Sequence, residues 1–482
     1  MSRVKQLLKK TKKTLLSTLR PLAQEYLPPP RGFEPSRWGL KEEGGRLSLG
    51  GTSLKALVER WGSPLHVIDA QRLERNVASF LRPPPGRSRA CEVFYSYKTN
   101  PIPAVLQRLH QLGVGAEVIS PYELWLALQQ GVAPERIIYN GPASSEAVMR
   151  EAITRGLALI NCNHREDVGK MARVAERCQK RPSVGIRVVT KGSWSSQFGI
   201  PIEGGAALRA YAEALGSPWL RVKAIHAHLG FAIRTRGQLE SFVGEVLDFV
   251  EQLYTQLGVE LEMLDLGGSL CIPTVQGHEA AEKRLSRALF RGFEPPDADG
   301  ALSIEAYVAG VLELCEEHFR RRGRPMPRIL LEPGRAMTGN TQLLLASVLN
   351  LNGTPGDGMR YAILDAGQNI AEAARYEYHQ VFHVTRQGQP ASQTYALAGP
   401  ICSPGDVIFQ AQRLPPLELG DTLAIMDSGA YFVPFSNAFS YPRPAIVMVD
   451  GGRDVLVRRA ETFEDMVMRD QMPRPKASSA TG

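Results

Sequence analysis

Six short segments hold residue types able to do chemistry. The run Phe94-Tyr95-Ser96-Tyr97-Lys98-Thr99-Asn100 carries an apolar stretch to a lysine. At a strand end such a lysine either snorkels to the surface or, when desolvated, has a depressed pKa and an amine free for Schiff-base formation. His226-Ala227-His228-Leu229-Gly230 sets two imidazoles at i and i+2, on one face of a strand. They read as a metal pair, as two buried histidines, or as a flat ring against a flat aromatic cofactor. A metal needs a third ligand and an open site, and no HxxH or HExxH companion is visible, so no metal is expected. In Asp265-Leu266-Gly267-Gly268-Ser269 the paired glycines either bring backbone N–H groups to a phosphate or only turn the chain. Leu331-Glu332-Pro333-Gly334-Arg335 offers a structural ion pair, or a holder for one ligand with a basic nitrogen and an anionic group. The loop Gly399-Pro400-Ile401-Cys402-Ser403-Pro404-Gly405-Asp406 holds a thiol, for which burial without reactivity is the plain reading. Asp427-Ser428-Gly429-Ala430-Tyr431 puts a tyrosine on a turn.

These residues need elements to position them. Strand-like runs at 93–98, 115–120, 136–141, 157–162, 183–188, 222–230, 261–268 and 328–334 alternate with longer stretches. Of those, 121–130, 165–179 and 238–257 carry apolar residues at helical spacing. Eight strands alternating with helices predict a (β/α)8 TIM barrel, with a doubly wound open sheet as the other reading. Position favours the barrel. Lys98, Ser120, Asn140, Asn163, Arg187, His228, Gly267, Gly268, Glu332 and Arg335 fall at or just past the C-terminal ends of the runs, the face where barrel enzymes keep their sites. After residue 336 the texture turns to short alternating strands at 341–351, 361–364, 394–397, 422–426, 445–449 and 454–459. That predicts a β-sandwich or β-barrel-like domain. The expected organisation is a basic arm and Pro-rich linker over 1–35, a barrel over 71–336, a β domain of 36–70 with 337–470, and a flexible tail over 471–482.

Composition closes off other classes. The 482 residues carry 57 basic and 49 acidic side chains, a formal charge of +8. Seven of the cations (Arg3, Lys5, Lys9, Lys10, Lys12, Lys13, Arg20) lie in the first twenty residues, which hold no acid. The body is therefore nearly neutral, and a nucleic-acid-binding surface is not expected. Val4, Leu8, Leu15 and Leu19 recur between the lysines at helical spacing. The arm reads as an amphipathic helix for a membrane surface or acidic partner, as a transit peptide, or as a solvated tail. Pro28-Pro29-Pro30-Arg31-Gly32 then breaks it. No run approaches the ~18 apolar residues of a membrane span, and no apolar signal-peptide core follows the basic start. Six scattered cysteines without a CxxC pair argue against a disulfide framework, so a cytoplasmic location is expected.

Taken in order, the lysine on the first strand, His-x-His-Leu-Gly on the sixth, Gly-Gly on the seventh and Glu-Pro-Gly-Arg on the eighth form a set. With Gly-Pro-x-Cys and Asp-x-Gly-Ala-Tyr behind them, the chain resembles the fold-type III pyridoxal-phosphate decarboxylases over about residues 60–470. The resemblance includes Ser196-Gln197-Phe198-Gly199-Ile200 and Glu461-Thr462-Phe463-Glu464-Asp465. It is strongest to the diaminopimelate decarboxylase branch, with ornithine and arginine decarboxylases as relatives. The resemblance implies pyridoxal 5'-phosphate held as a Schiff base on Lys98, and Glu332 paired with the pyridine nitrogen. It implies His228 stacked on the ring, and a phosphate held by Gly230, Gly267, Gly268, Arg335 and Tyr431. It also implies a homodimer with composite sites, in which Cys402 reaches across from the second subunit to reprotonate the α-carbon.

Departures from the pattern bear on substrate. An acid normally follows Gly-Pro-x-Cys and grips a distal ammonium; here Ser403 stands there. Phe231 replaces a small hydroxyl residue after His-Leu-Gly, and Ser269 replaces a third glycine. The Arg-Pro-x-x-Tyr segment that grips the distal carboxylate is absent after Asp365-Ala366-Gly367, leaving Arg375 and Tyr376 as candidates for that task. The expected substrate contacts are Arg335, Arg375, Tyr376, Ser403 and Tyr431. The expected substrate is a modified or carrier-linked amino acid rather than free diaminopimelate. Two rival functions are an amino-acid racemase of the same fold type and a catalytically degenerate, decarboxylase-like regulator.

Overall fold

The computed structural model describes residues 19–20, 22–23, 26–87, 90–193, 197–230, 232–353 and 360–471. The arm over 1–18, the tail over 472–482, Ser196 and Phe231 lie outside the described residues, so the readings made for them have no counterpart here. Among the described residues no helix is long and apolar enough to cross a membrane.

Eight parallel strands close a barrel: β1 (Glu92–Ser96), β2 (Gly115–Val118), β3 (Ile137–Tyr139), β4 (Leu159–Cys162), β5 (Ser183–Val189), β6 (Arg221–Ala227), β7 (Met263–Asp265) and β8 (Arg328–Leu331). Each pairs with the next, and Leu330 of β8 sits opposite Glu92 of β1, so the sheet has no free edge. Closure overturns the open-sheet reading. All eight expected strands are present, most with trimmed C-terminal ends, while β5 runs one residue further, to Val189. β7 stops at Asp265, two residues before Gly267, whose φ of +63° is not extended backbone.

The alternation of side chains along these strands layers the interior. Phe94, Ile138, Leu159, Ala224, Met263 and Leu330 form a buried apolar plug across the barrel. Two residues further toward the C-terminal mouth, on the same inward face, stand Ser96, Asn140, Asn161, His226, Asp265 and Glu332. All six of these polar side chains are buried. The plug excludes water from below, and the polar layer is the first thing a ligand entering the mouth would meet.

The expected helices run Pro121–Gln129, Arg165–Cys178 and Arg236–Leu257. Ser120, read as a mouth residue, instead caps its helix: its Oγ accepts from Glu123 N at 3.1 Å, and Glu123 Oε2 accepts from Ile119 N at 2.8 Å.

The second domain is built on one long strand, Gln342–Gly353. Its first half pairs with Leu65–Asp69 and Thr422–Ile425, its second with Arg360–Leu364. Leu65–Asp69 also pairs in parallel with Ala445–Asp450, so a segment that precedes the barrel completes this sheet. Alternate residues of the long strand feed two cores: Leu344, Ala346 and Val348 one, Leu343 and Leu345 the other. The sequence reading named none of the strands before residue 93, Leu65–Asp69 among them, and missed two after residue 336. Val381–His383 has only three residues, and the partner register of Val407–Leu414 shifts twice, which blurs its alternation. The turn over 427–431 binds this domain to the barrel: Tyr431 N donates to Thr99 O at 3.0 Å, and Asn100 Nδ2 to Gly429 O at 3.2 Å. Gly429 is needed there, because a Cβ would overlap the Thr338 carbonyl.

Candidate active site

Lys98 lies in the 3-10 turn that follows β1. Its Nζ donates to Ser96 Oγ at 2.7 Å and to Glu117 Oε2 at 3.0 Å. Glu117 Oε1 accepts from Asn140 Nδ2 at 3.1 Å, and the same amide donates to Glu332 Oε1 at 2.6 Å. Asn161 Nδ2 donates to Asn140 Oδ1 at 2.7 Å, fixing which way the Asn140 amide points. On its other oxygen Glu332 meets His226 Nε2 at 3.2 Å. These bonds join the polar layer from β1 to β8, with Asn161 Oδ1 and His226 Nδ1 left without a partner among the described residues. Connection matters because an unpartnered polar group buried on an apolar plug would cost ~1–3 kcal/mol.

Charge in this network is balanced locally. Burial pulls the Lys98 ammonium pKa down, but Glu117, Tyr431 and Glu332 outweigh it, and the net shift is upward. The expected depressed lysine is corrected: two buried carboxylates face the amine and hold its proton. Burial, then the Glu332 charge, pushes the Asp265 carboxyl well above the usual range. Burial also acts to raise Glu332, but His226, the Asp265 hydrogen bond and Lys98 hold it below the carboxylate range. Asp265 therefore carries the proton of this pair, and Glu332 stays ionised. Half-buried Arg187 of β5 lies within the field of the same three acids, Glu332, Glu117 and Asp265.

His228 stands just past β6, one step above His226. Gly268 N donates to its Nδ1 at 3.3 Å, and Ser269 Oγ is 3.5 Å from it. Burial, then Arg187 and Lys98, pushes its pKa down to about 3, so the ring is neutral. The pattern supplied no third ligand for a metal beside the histidine pair; the fold brings Asp265 and Glu332 to His226, their ligand atoms all within 4.8 Å of one another. Both Glu332 oxygens already accept hydrogen bonds there.

The amides of the glycine pair bond within the rim. Gly267 N donates to Asp265 Oδ1 at 3.1 Å and Gly268 N to His228, so both N–H groups turn inward. Glycine is required at 268 for clearance, since a Cβ would overlap the Glu332 carbonyl. Ser269 Oγ accepts from Leu229 N at 3.1 Å and ties the sixth and seventh strand ends together. Gly230, with φ +82°, turns the chain at the same rim.

Pyridoxal phosphate fits this donor set. Lys98 offers a primary amine, ionised Glu332 a counter-charge for a protonated ring nitrogen, and His228 a flat neutral ring.

The facing wall comes from the second domain. Arg335, at the start of the short helix after β8, makes a bidentate pair with Glu377, Nη1 to Oε2 at 2.6 Å and Nη2 to Oε1 at 2.7 Å. Its guanidinium carbon lies 5.0 Å from the Tyr431 ring centroid. Arg375 Nη1 is 2.9 and 3.0 Å from the two Glu372 oxygens, and Tyr376 Oη donates to Glu372 at 2.9 Å. Cys402 is exposed in a loop pinned by Asp406, which accepts from Ile401 N at 2.9 Å and Gln368 N at 2.6 Å. A Cβ on Gly405 would lie 3.6 Å from Ser403 Oγ and 3.9 Å from Arg375 Nη2. Ser403 and Arg375 thus share one corner of the wall. An inert buried thiol is not what the loop holds.

Four residues of the site escaped the sequence reading: Glu117, Asn161, Glu372 and Glu377. Asn161 had a usable signal, the i+2 step from Leu159 of the apolar plug to the polar layer along an inward face, whereas Glu117 follows Gly115 and had none. Glu372 and Glu377 had none either, because their meaning depends on the arginines they meet.

Residues 71–339 match the family described as pyridoxal-dependent decarboxylase, pyridoxal binding domain. The diaminopimelate decarboxylase of Methanothermobacter thermautotrophicus is 30% identical over 441 residues, covering 89% of this chain and 96% of that protein. That of Methanocaldococcus jannaschii is 29% identical over 450 residues, covering 89% and 96%. The crystal structure of diaminopimelate decarboxylase from M. jannaschii superposes with a TM-score of 0.79 at 24% identity, over 90% of this chain and 98% of that one.

Proposed function

The chain belongs to the pyridoxal-dependent decarboxylases, is built like a diaminopimelate decarboxylase and uses pyridoxal phosphate, and from that premise we propose which of its residues act and on what. When bound, the cofactor supplies the electron sink for the carbanion left as carbon dioxide departs from the substrate α-carbon. Lys98 is the residue that holds it, and Glu332 keeps a negative charge under its ring nitrogen. His228 presents a flat ring to it, and Gly230, Gly267, Gly268, Arg335 and Tyr431 surround its phosphate. All of these but Tyr431 belong to the barrel over 71–336; the domain of 36–70 with 337–470 supplies Tyr431 and Cys402. Cys402 is the proton donor to the α-carbon and serves the site of a second copy, which makes the active unit a homodimer. The basic arm is an accessory to this division.

The observation that carries the reading is Lys98 Nζ, 3.0 Å from Glu117 Oε2, on a buried network that ends in ionised Glu332. The substrate is an amino acid other than free diaminopimelate, modified or carrier-linked, because Ser403 cannot hold a distal ammonium as a carboxylate would. Arg335, Arg375, Tyr376, Ser403 and Tyr431 are its contacts.

The test uses two variants of the holoenzyme. Lys98→Ala is expected to lose both carbon dioxide release and the visible absorbance of bound cofactor. Cys402→Ala is expected to keep the absorbance and lose most turnover. Mixing the two is expected to restore turnover, since a mixed dimer has one intact site. Full turnover by Lys98→Ala sinks the role of the lysine, and no recovery on mixing sinks the shared site.

A further inference from the structure

Both arginines on the wall are already taken by acids of the same chain. The Arg335 fork is spent on Glu377, with both partners about four-fifths buried (side-chain exposures 21% and 20%). Glu377 is backed by His379 Nε2 at 3.8 Å, and although burial acts to raise its pKa, His379 and Arg335 hold the carboxyl below the usual carboxylate range. Arg375 is closed on Glu372, whose oxygen also accepts the Tyr376 hydroxyl. Lys283 rests over the Tyr376 ring at 4.7 Å.

We propose that Glu377, seconded by Glu372, stands where a substrate's distal carboxylate would bind, so that the enzyme selects amino acids whose distal end is uncharged. This rests on the decarboxylase reading above and narrows its substrate class. A carboxylate reaching Arg335 finds the guanidinium fork in use and an ionised carboxylate beside it. It gains no bidentate pair, and the closed, neutral ion pair does not repay the desolvation of its charge. A distal ammonium fares no better, because Ser403 carries no charge and the two acids are neutralised by their arginines. What remains welcome is an amide, ester or thioester at the distal end. Selection of this kind works by rejection: the wall is built against the charged competitor.

Glu377→Gln keeps the shape of the side chain and removes its charge. The experiment has two readouts on the holoenzyme. The first is calorimetric binding of pimelate, a dicarboxylate with no amine to react. The second is carbon dioxide release from free diaminopimelate and from its distal monoamide. The wild type is expected to bind pimelate weakly and to prefer the monoamide in kcat/KM. Glu377→Gln should bind pimelate about tenfold or more tighter and lower KM for diaminopimelate by a similar factor. Glu372→Gln, at the more exposed pair, should move both in the same direction by less. The proposal is overturned if the wild type prefers free diaminopimelate, or if Glu377→Gln leaves pimelate binding unchanged or weaker. Absence of carbon dioxide from every amino acid, with pimelate binding still responding to Glu377→Gln, would instead overturn the decarboxylase reading alone.

Discussion

At the barrel mouth, Glu117, Asp265 and Glu332 draw on partners from β1, β3, β5 and β6, and no charge there has a private counter-ion. On the facing wall, Arg335 closes on Glu377 and Arg375 on Glu372, in separate pairs backed by His379 and by the Tyr376 hydroxyl. The difference follows from what carries each region. Strand ends are held at fixed spacing by the barrel, so a side chain there can count on neighbours from other strands. The wall is a set of turns between 367 and 379 and between 399 and 406, and turns can be rebuilt without disturbing the barrel. The chemistry sits on the rigid part and the choice of substrate on the adjustable part. Substitutions that treat the two regions as different kinds of object should therefore give different kinds of effect.

The largest effect is expected in the network. Glu332→Gln keeps an acceptor for Asn140 but removes the negative charge that His226, Asp265 and Lys98 hold against burial at the end of the layer. Turnover should fall roughly 10²–10³-fold with little change in KM, the range seen when one preorganised electrostatic partner is lost. Cofactor absorbance should remain. A variant that turns over normally would mean that the mouth does not depend on this charge, and the contrast with the wall would collapse.

A smaller effect, one of pH, is expected at Glu117. Its charge is the leading cause that raises Lys98 against the pull of burial. An amine must shed its proton to react, so the proton that Glu117 holds in place delays cofactor loading until the pH rises. In Glu117→Gln burial is left less opposed and the Lys98 pKa falls. The pH profile for loading of the cofactor-free protein should then move to lower pH, followed as the growth of visible absorbance. A profile that stays put or moves upward would show that the carboxylate does not control the lysine. The same substitution at Glu372 should leave that profile unmoved, which sharpens the comparison.

This division also explains what could be read from the sequence. Lys98, His228, Gly267, Gly268, Glu332 and Arg335 stood out because a barrel fixes where strand ends go, and the order of motifs along the chain survives folding. Glu117 hid inside β2 rather than past its end, and only its inward partners give it meaning. The direction of the Lys98 shift was missed for the same reason: desolvation is legible in an apolar run, whereas a carboxylate 19 residues away becomes a neighbour only through the pairing of β1 with β2. Glu372 and Glu377 lie in a segment whose spacing departs from the familiar pattern. Whether an acid there binds a ligand, an arginine or water is decided by loop geometry that no periodicity encodes.

The smallest effect is expected when one wall pair is removed whole. In Arg375→Gln with Glu372→Gln both charges go together, and the side chains are 27% and 30% exposed, so solvent screens what they contribute. The Tyr376 hydroxyl keeps an amide oxygen to donate to. Unfolding free energy from denaturant titration should stay within about 1 kcal/mol of the wild type, the usual value of such a pair. In the network the corresponding loss of one partner strands a buried charge, which costs about 3–5 kcal/mol. If the double variant instead lost several kcal/mol, the wall pair would be part of the buried framework. Its charges could then not be exchanged freely to suit a substrate, and the separation of rigid chemistry from adjustable selection would fail at that corner.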